Sequence, residues 1–153
     1  MKAFISLILL LLVFNASAQI DASYDEVQEK YGTENTTINS FDNYFSETKD
    51  VGENFRITFT YNTDKIVKMV SVTSEKGKIT NDEFHKLSKE FMRNFSITSK
   101  ARTVKSNFYY DSKHSLLTVF EKYLDKKKQA KSVTFISGKN LITKINSEIL
   151  KME

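Results

Sequence analysis

A chain of 153 residues that is 40% hydrophobic and 12% aromatic is too apolar for a disordered protein and has the length of one ordinary domain. It has no cysteine or proline and only four glycines, which excludes disulfides, thiolate chemistry, a lipid on an N-terminal cysteine and the glycine-rich loops that cradle phosphates. The net charge of +4 hides a split: residues 19–75 carry five basic and eleven acidic side chains, residues 76–153 seventeen basic and eight acidic.

The first eighteen residues read as a secretory signal. Lys2 supplies the positive start, Ala3 to Phe14 an apolar run broken only by Ser6, and Ala16-Ser17-Ala18 the small-x-small site before Gln19. An anchor crossing a hydrocarbon core needs about 20 apolar residues. The run is shorter than that, so cleavage is expected and the mature chain should carry no transmembrane segment. Residues 19–153 are then a single domain, secreted or periplasmic, whose stability comes from its core alone.

Asp21 to Tyr31 reads as a short amphipathic helix. Asp21 and Ser23 are candidate N-caps, Asp25 and Glu26 lie in the first turn, Tyr24, Val27 and Tyr31 share a face, and Gly32 stops it. Residues 33–53 are polar with scattered aromatics, read as a loop or short strand packed on the domain. Phe55, Ile57, Phe59 and Tyr61 alternate with Arg56, Thr58 and Thr60, a strand with one wet face, and Lys65 to Thr73 is its β-branched hairpin partner. The order helix, glycine, hairpin, on Tyr24-Asp25-Glu26-Val27 through Gly32, resembles small secreted modules of the β-lactamase-inhibitor-like kind; the resemblance carries neither residues nor function across.

Thr80 to Phe95 reads as the clearest helix, with Thr80 and Glu83 in capping-box spacing and Phe84, Leu87, Phe91 and Phe95 on one face. Strands are expected at Thr103 to Tyr110, Ser115 to Tyr123, Ser132 to Ser137 and Leu141 to Ile145, with a closing helix over Asn146 to Met152. Leu116, Leu117, Phe120, Tyr123 and Leu124 also satisfy a helical face, so Ser115 to Tyr123 stays open between strand and helix. Short turns favour a meander. No internal repeat stands out, although two hairpins flank the central helix. The expected fold is α+β, an antiparallel sheet of about five or six strands with two helices packed on one face.

Candidate chemistry is sparse. Lys126, Lys127, Lys128 and Lys131 can hold an anionic glycan or lipid surface, or simply form a solvated turn that keeps sheet edges from pairing. Export and the lack of interleaved arginines and aromatics disfavour nucleic acid. Each histidine follows an aspartate by three, Asp82 with His85 and Asp111 with His114; neither pair supplies the three ligands a metal site needs. A nucleophile elbow is missing, and Ile136-Ser137-Gly138 is a turn by composition. The aromatics Phe41, Tyr44, Phe45, Phe108, Tyr109 and Tyr110 fit core packing better than an exposed patch. Sequons at Asn35 and Asn94 matter only in a glycosylating host. The charge split either makes the molecule bipolar, able to orient on an anionic surface or associate head to tail, or is cancelled by interleaving of the two halves.

No cofactor or metal is expected. The reading is an exported, non-catalytic binding or interaction domain acting on a protein or an anionic envelope component. The alternative is a small secreted hydrolase using a His/acidic pair. Oligomeric state is left open.

Overall fold

The computed structural model describes residues 20–34, 37–41, 43–51, 55–75, 79–92, 95–103, 105–122 and 130–145. The signal and its cleavage site at Ala16, Ala18 and Gln19, the lysines 126–128, both sequon asparagines and the expected helix over 146–152 lie outside them. Among the described residues no helix is long and apolar enough to cross a membrane.

Among the described residues the architecture is one eight-stranded antiparallel sheet with three short helices. In chain order the elements are α1 (Tyr24–Tyr31), β1 (Thr37–Phe41), β2 (Tyr44–Val51), β3 (Phe55–Tyr61), β4 (Val67–Ser74), α2 (Asn81–Phe91), β5 (Ser99–Arg102), β6 (Ser106–Asp111), β7 (Leu116–Lys122), β8 (Ala130–Ser137) and α3 (Lys139–Ile145). This corrects the expectation of an α+β fold with five or six strands and two helices: the sheet has eight strands, the fold is mostly β, and a third helix packs on the other face.

The two helix starts have the same chemistry. Ser23 and Thr80 each accept a hydrogen bond from the N–H three residues on, while Glu26 and Glu83 reach back to the cap N–H, completing two capping boxes. Gly32, at φ 77°, ends α1 and donates its N–H to the Gln28 carbonyl. The second helix stops at Met92 rather than Phe95.

Each helix leads into a four-stranded meander. The sheet order β1-β2-β3-β4-β8-β7-β6-β5 shows the two meanders joined by their last strands, with Val70 opposite Phe135 and Val72 opposite Val133. The chain is thus two units of the same plan, related across the β4–β8 seam, where the sequence showed no repeat. Ser23-Tyr24-Asp25-Glu26 and Thr80-Asn81-Asp82-Glu83 are its trace in the sequence. The described residues of 20–75 and of 79–145 accordingly lie on the two halves of the sheet, the first richer in acidic and the second in basic side chains.

Helices α1 and α2 cover one face. There Ile57, Phe59, Tyr61, Val70, Val72, Phe120, Val133 and Phe135 form one core with Val27 and Phe91, and Phe84 packs edge-on to Phe120 at 5.1 Å. On the other face α3 places Leu141 and Ile142 on Phe108, Tyr110, Leu117 and Ile136. Leu141 to Ile145, expected as a strand, turns helical because Gly138, at φ 96°, redirects the chain and its carbonyl accepts from the Ile142 N–H. Leu116–Lys122 is a strand; its helix-like apolar spacing arises because both faces are covered there, so Leu116 and Leu117 are both buried.

Two further corrections concern strands. Residues 33–53, expected as a loop or short strand, hold β1 and β2, and the strand expected from Thr103 to Tyr110 begins only at Ser106, after a separate β5 and a turn closed by Thr103 N–H to the Ser106 carbonyl. From the first unit across the seam, the face away from α1 and α2 carries hydroxyls: Thr48, Thr58, Ser71 and Thr134 align across four strands, bonded in pairs at 2.9 and 3.0 Å.

The two faces should respond differently to truncation. Phe135→Ala, at the seam, should lower unfolding free energy by about 3–5 kcal/mol, whereas the neighbouring Thr134→Ala should cost about 1 kcal/mol or less. Urea melts followed by far-UV circular dichroism check both; equal losses would contradict this assignment of faces.

Candidate functional site

The most unusual chemistry among the described residues lies beneath α1. β2 points Phe45, Glu47 and Lys49 toward the helix, and β3 adds Tyr61. Glu47 is 1% exposed and Lys49 2%. Both Glu47 carboxylate oxygens accept from Gln28 Nε2, at 2.7 and 2.8 Å, and Oε1 accepts from the Tyr61 hydroxyl at 2.5 Å. Lys49 Nζ lies 3.5 Å from Glu47 Oε2 and donates to Gln28 Oε1 at 3.0 Å and to the Gly32 carbonyl. The ammonium is thereby set at the carbonyl end of α1, where the helix dipole favours a cation. Burial, then the Glu47 hydrogen bond and charge, push the Tyr61 phenol far above its ordinary range, so it stays a donor.

This cluster floors a pocket of about 190 Å³ lined by Tyr24, Ile38, Phe45, Glu47 and Lys65. Phe45 stacks on Tyr61 at 4.8 Å, Tyr24 meets Tyr61 edge-on at 5.4 Å, and Lys65 Nζ lies 5.8 Å from the Tyr24 ring centroid. The pocket is large enough for one ring or branched aliphatic group, for comparison with a benzene-binding cavity of about 150 Å³. Its carboxylate is already satisfied by Gln28, Tyr61 and Lys49, so it offers shape and an apolar wall rather than a reactive acid.

The histidine pairs behave differently. Asp111 is fully buried at the end of β6, and the adjoining turn brings His114 Nδ1 to 2.8 Å from its carboxylate. Burial acts to raise the Asp111 pKa. Bonds from the Ser96 N–H at 2.8 Å, the His114 ring and the His114 N–H at 3.1 Å, with the imidazolium charge, outweigh it and hold the carboxyl below the usual range. His85 is exposed on α2 and leans on the Phe84 ring instead, centroids 5.5 Å apart. Among the described residues no three metal-ligating side chains converge.

Of the lysines singled out in the sequence, Lys131 is exposed at the start of β8; Lys126, Lys127 and Lys128 are not described. Lys105, also exposed, precedes β6 at the same end of the strands, because Ser106 faces Glu121 and Glu121 faces Ser132. Tyr109 packs in the helix-side core and Tyr110 is 2% exposed on the other face, so no aromatic platform forms there. Sequence reasoning missed Gln28, Glu47, Lys49 and Tyr61; their one signal was period-two spacing of Phe45, Glu47, Lys49 and Val51.

No family model and no curated protein matches the chain. Two solved structures are similar to it. YjgB, a DUF4309 family protein from Bacillus subtilis subsp. subtilis str. 168, aligns at 9% identity with a TM-score of 0.46, covering 76% of this chain and 79% of that one. An extracellular protein containing an SCP domain from Bacillus anthracis str. Ames aligns at 11% identity with a TM-score of 0.49, covering 81% of this chain. The chain spans only 46% of that protein's length.

Removing one member of the buried pair leaves the other uncompensated. Lys49→Met should destabilise by about 3–5 kcal/mol, and adding Glu47→Leu should recover much of it, because an apolar pair avoids the desolvation cost. Denaturant melts of the single and double variants decide; a double variant worse than the sum of its singles counts against this reading.

Acid sensitivity gives a second check. A carboxyl with a depressed folded pKa stabilises above its unfolded value, about 3.9, and that contribution is lost as pH falls through the folded one. Asp111→Asn should therefore be less stable at neutral pH and lose less further stability than the parent below about pH 4, as followed by thermal melts.

Proposed function

We propose that the protein is an exported, non-catalytic domain that binds an anionic component of the cell envelope through the basic end of its sheet. The observation that supports this most is spatial: the two-unit sheet keeps the basic half of the chain together. Lys105 and Lys131 lie at one end of the strands, and Lys126, Lys127 and Lys128 come shortly before Lys131 in the sequence. Lysines near an anionic lipid surface contribute roughly 1 kcal/mol each at physiological ionic strength. Several together reach useful affinity, and the term is screened by salt.

The Asp111–His114 contact favours a second reading, a small hydrolase in which a buried carboxylate orients an imidazole. The geometry leaves Nε2 of the exposed His114 as the candidate base. No serine is bonded to that imidazole among the described residues, and the Asp111 carboxylate also accepts two backbone N–H groups, which fixes the turn without catalysis.

Cosedimentation with phosphatidylglycerol vesicles should show binding that weakens steeply with salt, and phosphatidylcholine vesicles should show none. Replacing Lys126, Lys127, Lys128 and Lys131 with glutamate should reduce binding at least about 100-fold at low salt. Unchanged, salt-independent binding by that variant would overturn the reading. An esterase or amidase activity abolished by His114→Ala would favour the hydrolase.

A further inference from the structure

We propose that the protein associates head to tail with further copies of itself, the β1 edge of one copy adding to the β5 edge of the next. The inference does not rest on binding to an anionic envelope. It starts from the open sheet: among the described residues β1 pairs only with β2 and β5 only with β6. Each edge therefore presents unpaired N–H and C=O groups that can template another strand.

Strand direction comes next. In a strictly antiparallel sheet, direction alternates from strand to strand, so with eight strands the two edge strands run opposite ways. A second copy placed beside β1 in the same orientation sets its β5 antiparallel to β1. Its helices α1 and α2 then lie on the same face as those of the first copy. The ladder continues in the pattern it has within each molecule.

Side chains favour this pairing over its alternatives. Ile38 in β1 is 64% exposed and Ile97, two residues before β5, is 44% exposed; they are the exposed large hydrophobics among the described residues, one near each edge. Ile38 sits opposite Glu47, on the α1 face, and lines the Tyr24–Phe45 pocket, a seat for an apolar side chain of the incoming edge. Lys100 and Arg102 are exposed in β5, and Lys100 sits opposite Tyr109, on the same helix-bearing face. In the unit that carries the other edge, Asp25, Glu29 and Glu34 are exposed on and just after α1. Two β5 edges would bring Lys100 and Arg102 against their own copies, and two β1 edges would bring acid against acid. Only the unlike pair has charges that attract. The interface is heterologous and the sheet twists, so the product is an open filament rather than a closed dimer.

Sedimentation velocity on protein purified after export, from micromolar to millimolar concentration, reads the association directly. Average mass should rise with concentration without stopping at two copies, and should fall in high salt. Ile38→Lys blocks the β1 edge; the pair Lys100→Glu and Arg102→Glu blocks the β5 edge. Each variant alone should be monomeric with an unchanged circular dichroism spectrum. Mixed, they should form a one-to-one heterodimer and nothing larger, since each retains one intact edge. A wild type that stays monomeric throughout, a homodimer that grows no further, or a mixture that never associates would each overturn the proposal.

Discussion

The β4–β8 seam is the constraint on which the rest of the molecule depends. Val70, Val72, Val133 and Phe135 face one another across it and are fully buried. Burying each contributes about 1.5–3 kcal/mol, more than a ladder hydrogen bond at about 0.5–1.5 kcal/mol. Apolar contact under the two helices therefore holds the units together more than backbone pairing does. Because each unit gives its last strand to the seam, β1 and β5 become the edges. For the same reason the two halves of the chain lie on opposite sides of the seam and meet in the shared core and at the Lys30–Glu90 ion pair.

Charge is buried in two ways, and the difference follows from what each group meets. Asp111 is held by two backbone N–H groups and one imidazole, which together outweigh its desolvation and tie the end of β6 to its turn. Glu47 and Lys49 sit two residues apart on one strand and need help from a second element. Gln28 supplies it by donating to the carboxylate and accepting from the ammonium, and the Gly32 carbonyl takes a further lysine proton. The cluster holds α1 at both its middle and its end. Apolar contacts from Val27 and Tyr24 hold its face but leave its sliding position less defined, since apolar attraction has no direction.

What could be read from the sequence was whatever obeyed a local rule. β3 alternates cleanly, both helices carry their caps, and the Gly32 stop is visible without coordinates. β2 was lost because charged Glu47 and Lys49 occupy inward positions, so the segment reads as polar although its period is two. Leu116 to Phe120 was ambiguous because α3 covers the second face, and Leu141 to Ile145 was misread because a single glycine decides its direction. The buried cluster was not legible, since Gln28, Glu47 and Tyr61 meet only when α1 lies across β2 and β3. The duplication left a legible trace, two capping boxes on a shared Asp-Glu pair, but its consequence lay in the seam, which no local rule predicts.

The same geometry explains why the charge split persists as an external property rather than cancelling within the molecule. Eight strands at about 4.8 Å spacing put the two edges roughly 34 Å apart, about four Debye lengths at physiological ionic strength. Across that distance the acidic and basic ends scarcely attract each other. Each end repels itself locally, and part of the acidic end is relieved by its own cations, as in Arg56 with Asp50 at 3.2 Å and Lys68 with Asp21 at 2.5 Å. The exposed Lys100 and Arg102 on the β5 edge are too distant to share in that relief. Their field is felt only by charges that come within about 8 Å of them. In a sheet of this width the charges at the two edges therefore add little to one another's stability, and solvent and salt screen each of them separately.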